Sequence, residues 1–169
     1  MNTFKYIFGF MVILILQLLC SNFINLWPIL YIAVIPLLVI LLPPDINTCI
    51  LMLCAFAIGL LTDALCDGIL GLNAACCVLV AACRNMITRP MRRYDIQTEE
   101  MDLNYGEFRP GKLAMLLVAS YLVFFVPYVI IDGPMGKGIA YLAFRIILNV
   151  IVNSLVAYLL VRLWIRRFF

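Results

Sequence analysis

Residues 59–74 read GLLTDALCDGILGLNA, and the interpretation of the whole chain depends on them. The stretch carries two aspartates four positions apart, Asp63 and Asp67, among leucines, alanines and glycines. Acidic residues at this spacing can share one face of a helix. A catalytic or metal site, a substrate pocket and a structural feature are all open at this point, and the rest of the sequence has to distinguish them.

The composition is that of a polytopic membrane protein. Of the 169 residues, 66% are hydrophobic and 12% are charged, whereas soluble domains are roughly half apolar and a quarter charged. A surface that faces lipid accounts for the excess. The seven cysteines fall mostly within apolar runs and form no C-x-x-C pair, so we interpret them as small buried hydrophobic residues. One integral membrane domain over residues 1–169 is expected.

Six apolar segments predict an all-α bundle of six transmembrane helices. A spanning helix needs about 20 apolar residues, with a lower limit near roughly 17. The segments are 4–20, 28–42, 46–62, 69–87, 112–131 and 139–164. The polar stretch 88–111 is then a loop, either a solvated linker or a docking site for a cytoplasmic partner.

The basic residues predict the orientation of this bundle. Lysine and arginine accumulate on the cytoplasmic side of a membrane protein. With six spans and both termini inside, ten of the twelve basic residues lie on that side, and only Lys137 and Arg145 lie toward the outside. Asp63 and Asp67 then lie near the outer boundary of the membrane. The net charge of +3 follows from this topology and indicates no binding of nucleic acid.

The residues predict no enzyme and no cofactor. The chain contains no histidine, which excludes histidine-based triads and HExxH zinc sites. Gly59, Asp63 and Asp67 resemble the end of the signature of CDP-alcohol phosphotransferases, but the upstream half of that signature, with its arginine and further aspartates, is missing. Two carboxylates alone make a weak metal site. We therefore predict neither catalytic nor metal-binding residues.

The last apolar segment carries a stripe of polar residues. Arg145 lies at a depth comparable with that of Asp63, and a charge within a span normally finds a partner, so an Asp63–Arg145 pair is one hypothesis. The other is that each side chain reaches the outer interface separately. Asn149 and Asn153 follow Arg145 at four-residue steps. We interpret this stripe as glue between helices, with the lining of a ligand pocket as the alternative.

Small residues are concentrated around the opening stretch. They are Gly59, Ala64, Gly68, Gly71 and Ala75. Small side chains let the backbones of neighbouring helices approach closely. Their concentration predicts that the third and fourth helices form the packed centre of the bundle.

Several features of the chain recur together in one family of membrane proteins. The second segment contains the prolines of WPILYIAVIPLLVIL, and a charged loop precedes two C-terminal spans. A G-x-x-x-D that closes the third segment is followed by GILGLNA, so that Gly59, Asp63 and Gly71 match the most specific stretch of the family. With these features the chain resembles the MreD family of bacterial rod shape-determining proteins. Asp67 matches the pattern of this family less clearly.

This resemblance implies a non-catalytic scaffold in the cytoplasmic membrane of a bacterium. Members of the family bind MreC and belong to the cell-elongation complex with MreB, RodA and a class B penicillin-binding transpeptidase. The resemblance implies a role in cell shape and lateral peptidoglycan synthesis, membrane lipids as neighbours, and no cofactor. Formation of a homodimer is left open.

The family is also similar in fold to the S components of energy-coupling-factor vitamin transporters, which are six-helix membrane proteins. Binding of a vitamin is therefore the alternative function. The first segment offers only Gly9 as a small residue in its inner half and lacks the A-x-x-x-A surface of such transporters, which favours the scaffold. In a scaffold, Asp63 either pairs with Arg145 or caps the turn that follows it, and Asp67 belongs to the outer turn.

Overall fold

The computed structural model describes residues 11–13, 15–19, 29–42, 46–65, 69–92, 110–133 and 138–162. Over these residues the secondary structure is helical, with short connecting segments and no strand. The helices are α1, seen at 11–13 and 15–19, α2 (Ile35–Leu41), α3 (Thr48–Leu65), α4 (Leu72–Arg92), α5 (Pro110–Asp132) and α6 (Ile139–Leu160).

The distribution of polar and apolar side chains is that of a protein in lipid. The three helices α3, α5 and α6 are each long and apolar enough to cross a membrane. One face of α6 exposes Ile147, Ile151 and Leu155, while Asn149 and Asn153 of the same helix are buried. An apolar exterior around a partly polar interior is unfavourable in water and favourable in a bilayer. The chain is therefore an all-helical membrane protein.

The second predicted helix, 28–42, is wrong over its first half. Residues 30–34 adopt no helix, and α2 begins only at Ile35. Pro36 lies in the first turn of α2. Proline suits that position because its ring presets the backbone angle φ, but it has no N–H to donate and blocks continuation of a helix through it. We call residues 29–34 the irregular segment.

The ends of the other helices also differ from the apolar segments. α4 continues to Arg92, and α5 begins at Pro110, so the predicted loop 88–111 is shorter at both ends, and its residues 93–109 lie outside the described part. α3 runs on to Leu65 instead of ending at residue 62. Hydropathy shows where apolar side chains stop, whereas a helix stops where its backbone hydrogen bonds stop.

The helices α3 and α4 approach each other to backbone contact. A Cβ atom on Gly59 would lie 2.4 Å from the Cα atom of Ala74, which leaves room for glycine alone. The contact predicted from the small residues is therefore present. The most buried of the three long helices is nevertheless α5, with 44% of its apolar window buried against 28% for α3. Three side chains of α5, those of Tyr121, Phe124 and Phe125, are buried in the apolar core.

Candidate functional site

Asp63 caps the N-terminus of α4 from the preceding helix. Its carboxylate is 3% exposed and accepts hydrogen bonds from the backbone N–H groups of Gly71 (2.9 Å), Asn73 (3.2 Å) and Ala74 (3.2 Å). The side-chain Nδ2 of Asn73 donates a fourth, at 2.8 Å. The first N–H groups of a helix have no partner within the helix, and its dipole favours a negative charge there. Of the two alternatives for Asp63, the structure contains the cap.

Two glycines, Gly59 and Gly71, bring the N-terminus of α4 within hydrogen-bonding distance of Asp63. Gly71 has a φ angle of +90°, in the region that side chains with a Cβ rarely adopt, and in this conformation its N–H reaches the carboxylate. Gly59 lies one turn before Asp63 and brings α3 against the backbone of Ala74. The G-x-x-x-D stretch and the following glycine thus serve a single helix junction. Asp67 lies outside the described residues.

Arg145 pairs with Asp132, so the hypothesis of an Asp63–Arg145 pair is wrong. The Nη2 atom of Arg145 lies 2.5 Å from Oδ2 of Asp132, the last residue of α5. The Arg145 side chain is 7% exposed and its tip contacts a residue of α5, in contrast to the other hypothesis, in which it extends outward on its own. Sequence reasoning missed Asp132, although its position at the end of the apolar segment preceding Arg145 was a usable signal. An antiparallel helix pair brings such positions together.

The side chain of Asn149 binds the backbone of the irregular segment. Its Oδ1 accepts a hydrogen bond of 2.8 Å from the N–H of Tyr31. Its Nδ2 donates to the carbonyl oxygens of Ile29, at 2.9 Å, and of Arg145, at 2.7 Å. The carboxamide of Asn149 thus gives hydrogen-bond partners to the N–H of Tyr31 and the carbonyl of Ile29, which lie outside a regular helix.

Asn153 of α6 and Gln17 of α1 also bind the backbone of the irregular segment. Asn153 accepts from the N–H of Ala33 and donates to the carbonyl of Tyr31, both at 2.8 Å. Gln17 of α1 accepts from the N–H of Val34 at 2.5 Å and donates to the carbonyl of Ile32 at 3.3 Å. Irregular backbone within a membrane requires such partners. The two asparagines of the polar stripe of α6 therefore bind protein backbone, in agreement with the interpretation of the stripe as glue.

Tyr31 joins the irregular segment to the Asp63 cap. Asn73, which donates to Asp63, also donates from Nδ2 to the Tyr31 hydroxyl at 3.1 Å. The ring of Tyr31 stacks on that of Tyr128 of α5, with a centroid separation of 4.8 Å. Together with the bond from the Tyr31 backbone to Asn149, these contacts form one network that connects α3, α4, α5 and α6.

Arg84 also binds backbone at a helix end, at the end of the bundle opposite to Asp63. It is buried within α4 and donates from Nη2 to the carbonyl oxygens of Ile40, at 3.1 Å, and of Leu42. These carbonyls lie at the C-terminus of α2, where helical carbonyls lack partners and a positive charge is favourable. Sequence reasoning placed Arg84 only on the cytoplasmic side of the membrane and did not anticipate this contact.

Five of the buried polar side chains act on the backbone of the protein itself. Over the described ranges, no group of three or more His, Cys, Asp and Glu side chains is arranged to hold a metal ion. Asp63, Asn149, Asn153, Gln17 and Arg84 each bind backbone at a helix end or in the irregular segment. Chemically, the arrangement stabilises a bundle in which a non-helical segment precedes α2.

Replacing Asp63 tests the cap directly. We expect Asp63→Ala to lower the free energy of unfolding by about 2 kcal/mol, because it removes a helix cap and leaves buried N–H groups without a partner. Asp63→Asn retains one carbonyl acceptor and should recover part of the loss. Unfolding of the purified protein by SDS in mixed micelles, followed by circular dichroism, measures both. Equal stability of Asp63→Ala and the wild type would contradict the cap.

The fold and the site together define a class but no family. The protein is an all-helical membrane protein with three candidate spanning helices among the described residues, stabilised by polar contacts to its own backbone. Comparison with protein-family models, with curated proteins and with solved structures finds no match to the chain. A more specific function therefore has to be argued from the residues and their contacts.

Proposed function

We propose that this protein is a non-catalytic scaffold of the bacterial cell-elongation complex, with MreC as its direct partner. MreB, RodA and a class B penicillin-binding transpeptidase are the further members of that complex. The proposal includes six spans in the cytoplasmic membrane with both termini in the cytoplasm. It rests on the resemblance of the chain to the MreD family, carried above all by Gly59, Asp63 and Gly71.

The observation that supports a scaffold most directly is how the polar side chains in the bundle are used. The carboxylate of Asp63 accepts four hydrogen bonds from the α4 junction. The carboxamides of Asn149 and Asn153 each make three hydrogen bonds to backbone groups. A vitamin pocket needs polar groups free to bind its ligand. Here those groups hold the protein together, which favours a bundle that presents a surface to other proteins.

The arrangement of the two ends agrees with the proposed orientation. Asp63, Gly71, Asp132 and Arg145 lie toward the end where α3 and α5 finish and where α4 and α6 begin. Arg84 lies toward the other end, near the start of α3. With the basic residues in the cytoplasm, the capped end of the bundle faces the side of the membrane where the bulk of MreC lies.

Purification from the native membrane tests the proposal. The tagged protein is extracted in mild detergent or nanodiscs, and the proteins that accompany it are identified by mass spectrometry. We expect MreC, RodA and the transpeptidase. Gly59→Val should lose MreC because it disturbs the α3–α4 junction, while the control Gly111→Ala, which has open space around its added carbon, should retain it. Recovery of ATPase subunits or of a bound vitamin would contradict the scaffold and support the transporter alternative.

A further inference from the structure

Three carboxamides bind the backbone of the irregular segment with one repeated geometry. Each donates to the carbonyl of one residue and accepts from the N–H of the residue two positions later. A residue of a neighbouring parallel strand makes the same pair of hydrogen bonds, so each carboxamide takes the place of a strand residue. The pairs are Ile29 with Tyr31 for Asn149, Tyr31 with Ala33 for Asn153, and Ile32 with Val34 for Gln17.

The backbone groups of the irregular segment alternate between two helices. Those of Ile29, Tyr31 and Ala33 are bound by α6. Those of Ile32 and Val34 are bound by α1. In an extended chain, successive residues direct their N–H and C=O groups to opposite edges. The irregular segment is therefore an extended strand that has a helix, instead of another strand, along each edge.

The spacing of the asparagines on α6 matches the repeat of such a strand. Asn149 and Asn153 are four residues apart, which is about 6 Å along a helix. Tyr31 and Ala33 are two residues apart, which is about 6.6 Å along an extended chain. α6 can thus bind two successive repeats of the strand. None of the six hydrogen bonds involves a side chain of the segment, so the carboxamides recognise polypeptide backbone and no particular sequence.

We infer that α1 and α6 form a binding site for an extended polypeptide, that residues 29–34 of this chain occupy it, and that α6 completes it. The side chains of Gln17, Asn149 and Asn153 are each 1% exposed, so the site lies in the interior of the bundle. Without α6, four backbone groups along one edge of the segment have no partner in this apolar interior, which is unfavourable.

This site links the first helix of the bundle to the last. α6 is the last of the described helices in the chain, so the segment takes its extended position only after α6 has been made. Gln17 then holds α1 to the segment, and the two asparagines hold the segment to α6. The inference concerns how the bundle closes and does not depend on the proposed scaffold function.

Proline substitutions in the full-length protein test the alternation. Proline has no N–H to donate, and its φ angle suits an extended chain. We expect Val34→Pro, which removes the donor to Gln17, to lower the SDS fraction at the midpoint of unfolding. Leu30→Pro is the matched control, because the N–H of Leu30 donates to none of the three carboxamides, and its midpoint should stay at the wild-type value. In a Gln17→Leu background, Val34→Pro should cause little further shift.

A second measurement tests the link between the two helices. Asn149 and Asn153 form no hydrogen bond with α1, yet Asn149→Leu with Asn153→Leu should speed hydrogen exchange in peptides that cover residues 11–19. Gln17→Leu should also shift the midpoint less in that variant than in the wild type, because the segment has already been released.

The inference would be overturned by equal midpoint shifts for Leu30→Pro and Val34→Pro. Full additivity of Gln17→Leu with the two asparagine substitutions, or unchanged exchange over residues 11–19, would show that α1 does not depend on α6 through the segment. If Val34→Pro does not fold, the comparison of Gln17→Leu in the two backgrounds and the exchange measurement still decide.

Discussion

Gly59→Val is expected to lower the free energy of unfolding by about 3 kcal/mol, the upper part of the range for overpacked cores. Even the first carbon of the new side chain would lie 2.4 Å from the Cα atom and 2.7 Å from the amide nitrogen of Ala74. Both atoms are backbone, so no side-chain rotation relieves the overlap. α3 and α4 have to separate, and the separation also withdraws the first turn of α4 from the carboxylate of Asp63.

The same SDS unfolding experiment measures this loss, with Gly111→Ala as the matched control. An added Cβ at Gly111 meets no atom within 4 Å, so the control should be unchanged or slightly more stable, as alanine favours a helix over glycine. Combining Gly59→Val with Asp63→Ala should cost less than the sum of the two single losses, because the first substitution already weakens the cap. Strict additivity of the two would show that Gly59 and Asp63 act separately.

The double variant Asn149→Leu with Asn153→Leu is expected to lose about 4 kcal/mol, because it deprives four buried or partly buried backbone groups of their partners. These groups are the N–H of Tyr31 and Ala33 and the carbonyls of Ile29 and Tyr31. Leucine has the same number and branching of non-hydrogen side-chain atoms as asparagine, so the substitution leaves no cavity and removes the hydrogen bonds. Each single variant should account for roughly half of the effect, since each side chain holds two of the four groups.

Asn85→Leu is the matched control for this pair. Asn85 is exposed, and its Nδ2 donates a single hydrogen bond of 2.9 Å to the hydroxyl of Thr48. Hydrogen exchange by mass spectrometry adds a local measurement, since peptides covering the irregular segment should exchange faster in the double variant while those of α5 do not. If the double variant unfolds at the same SDS fraction as the control, the irregular segment does not depend on α6.

Much of the architecture follows from the sequence. The high apolar fraction identifies a membrane protein, and the apolar segments locate α3 to α6 to within a few residues of their observed ends. The four-residue spacing of Arg145, Asn149 and Asn153 places them on one buried face of α6, as observed. Gly59, Asp63 and Gly71 also stand out from the amino-acid pattern alone, because an acidic residue is unusual in an apolar run and a glycine stands on either side of it.

Only the tertiary structure decides what these residues contact. The sequence left two interpretations of Asp63 open, an ion pair with Arg145 and a cap on the turn that follows. The structure contains the cap, because α4 starts directly beside Asp63. Arg145 forms an ion pair with Asp132, a residue that sequence reasoning did not consider. The sequence predicts a helix over residues 28–42, which include the irregular segment, since WPILYIAVIP is as apolar as a spanning helix. Hydropathy reports whether a side chain suits lipid, whereas a non-helical segment within the bundle depends on whether distant side chains, here Gln17, Asn149 and Asn153, can bind its backbone groups.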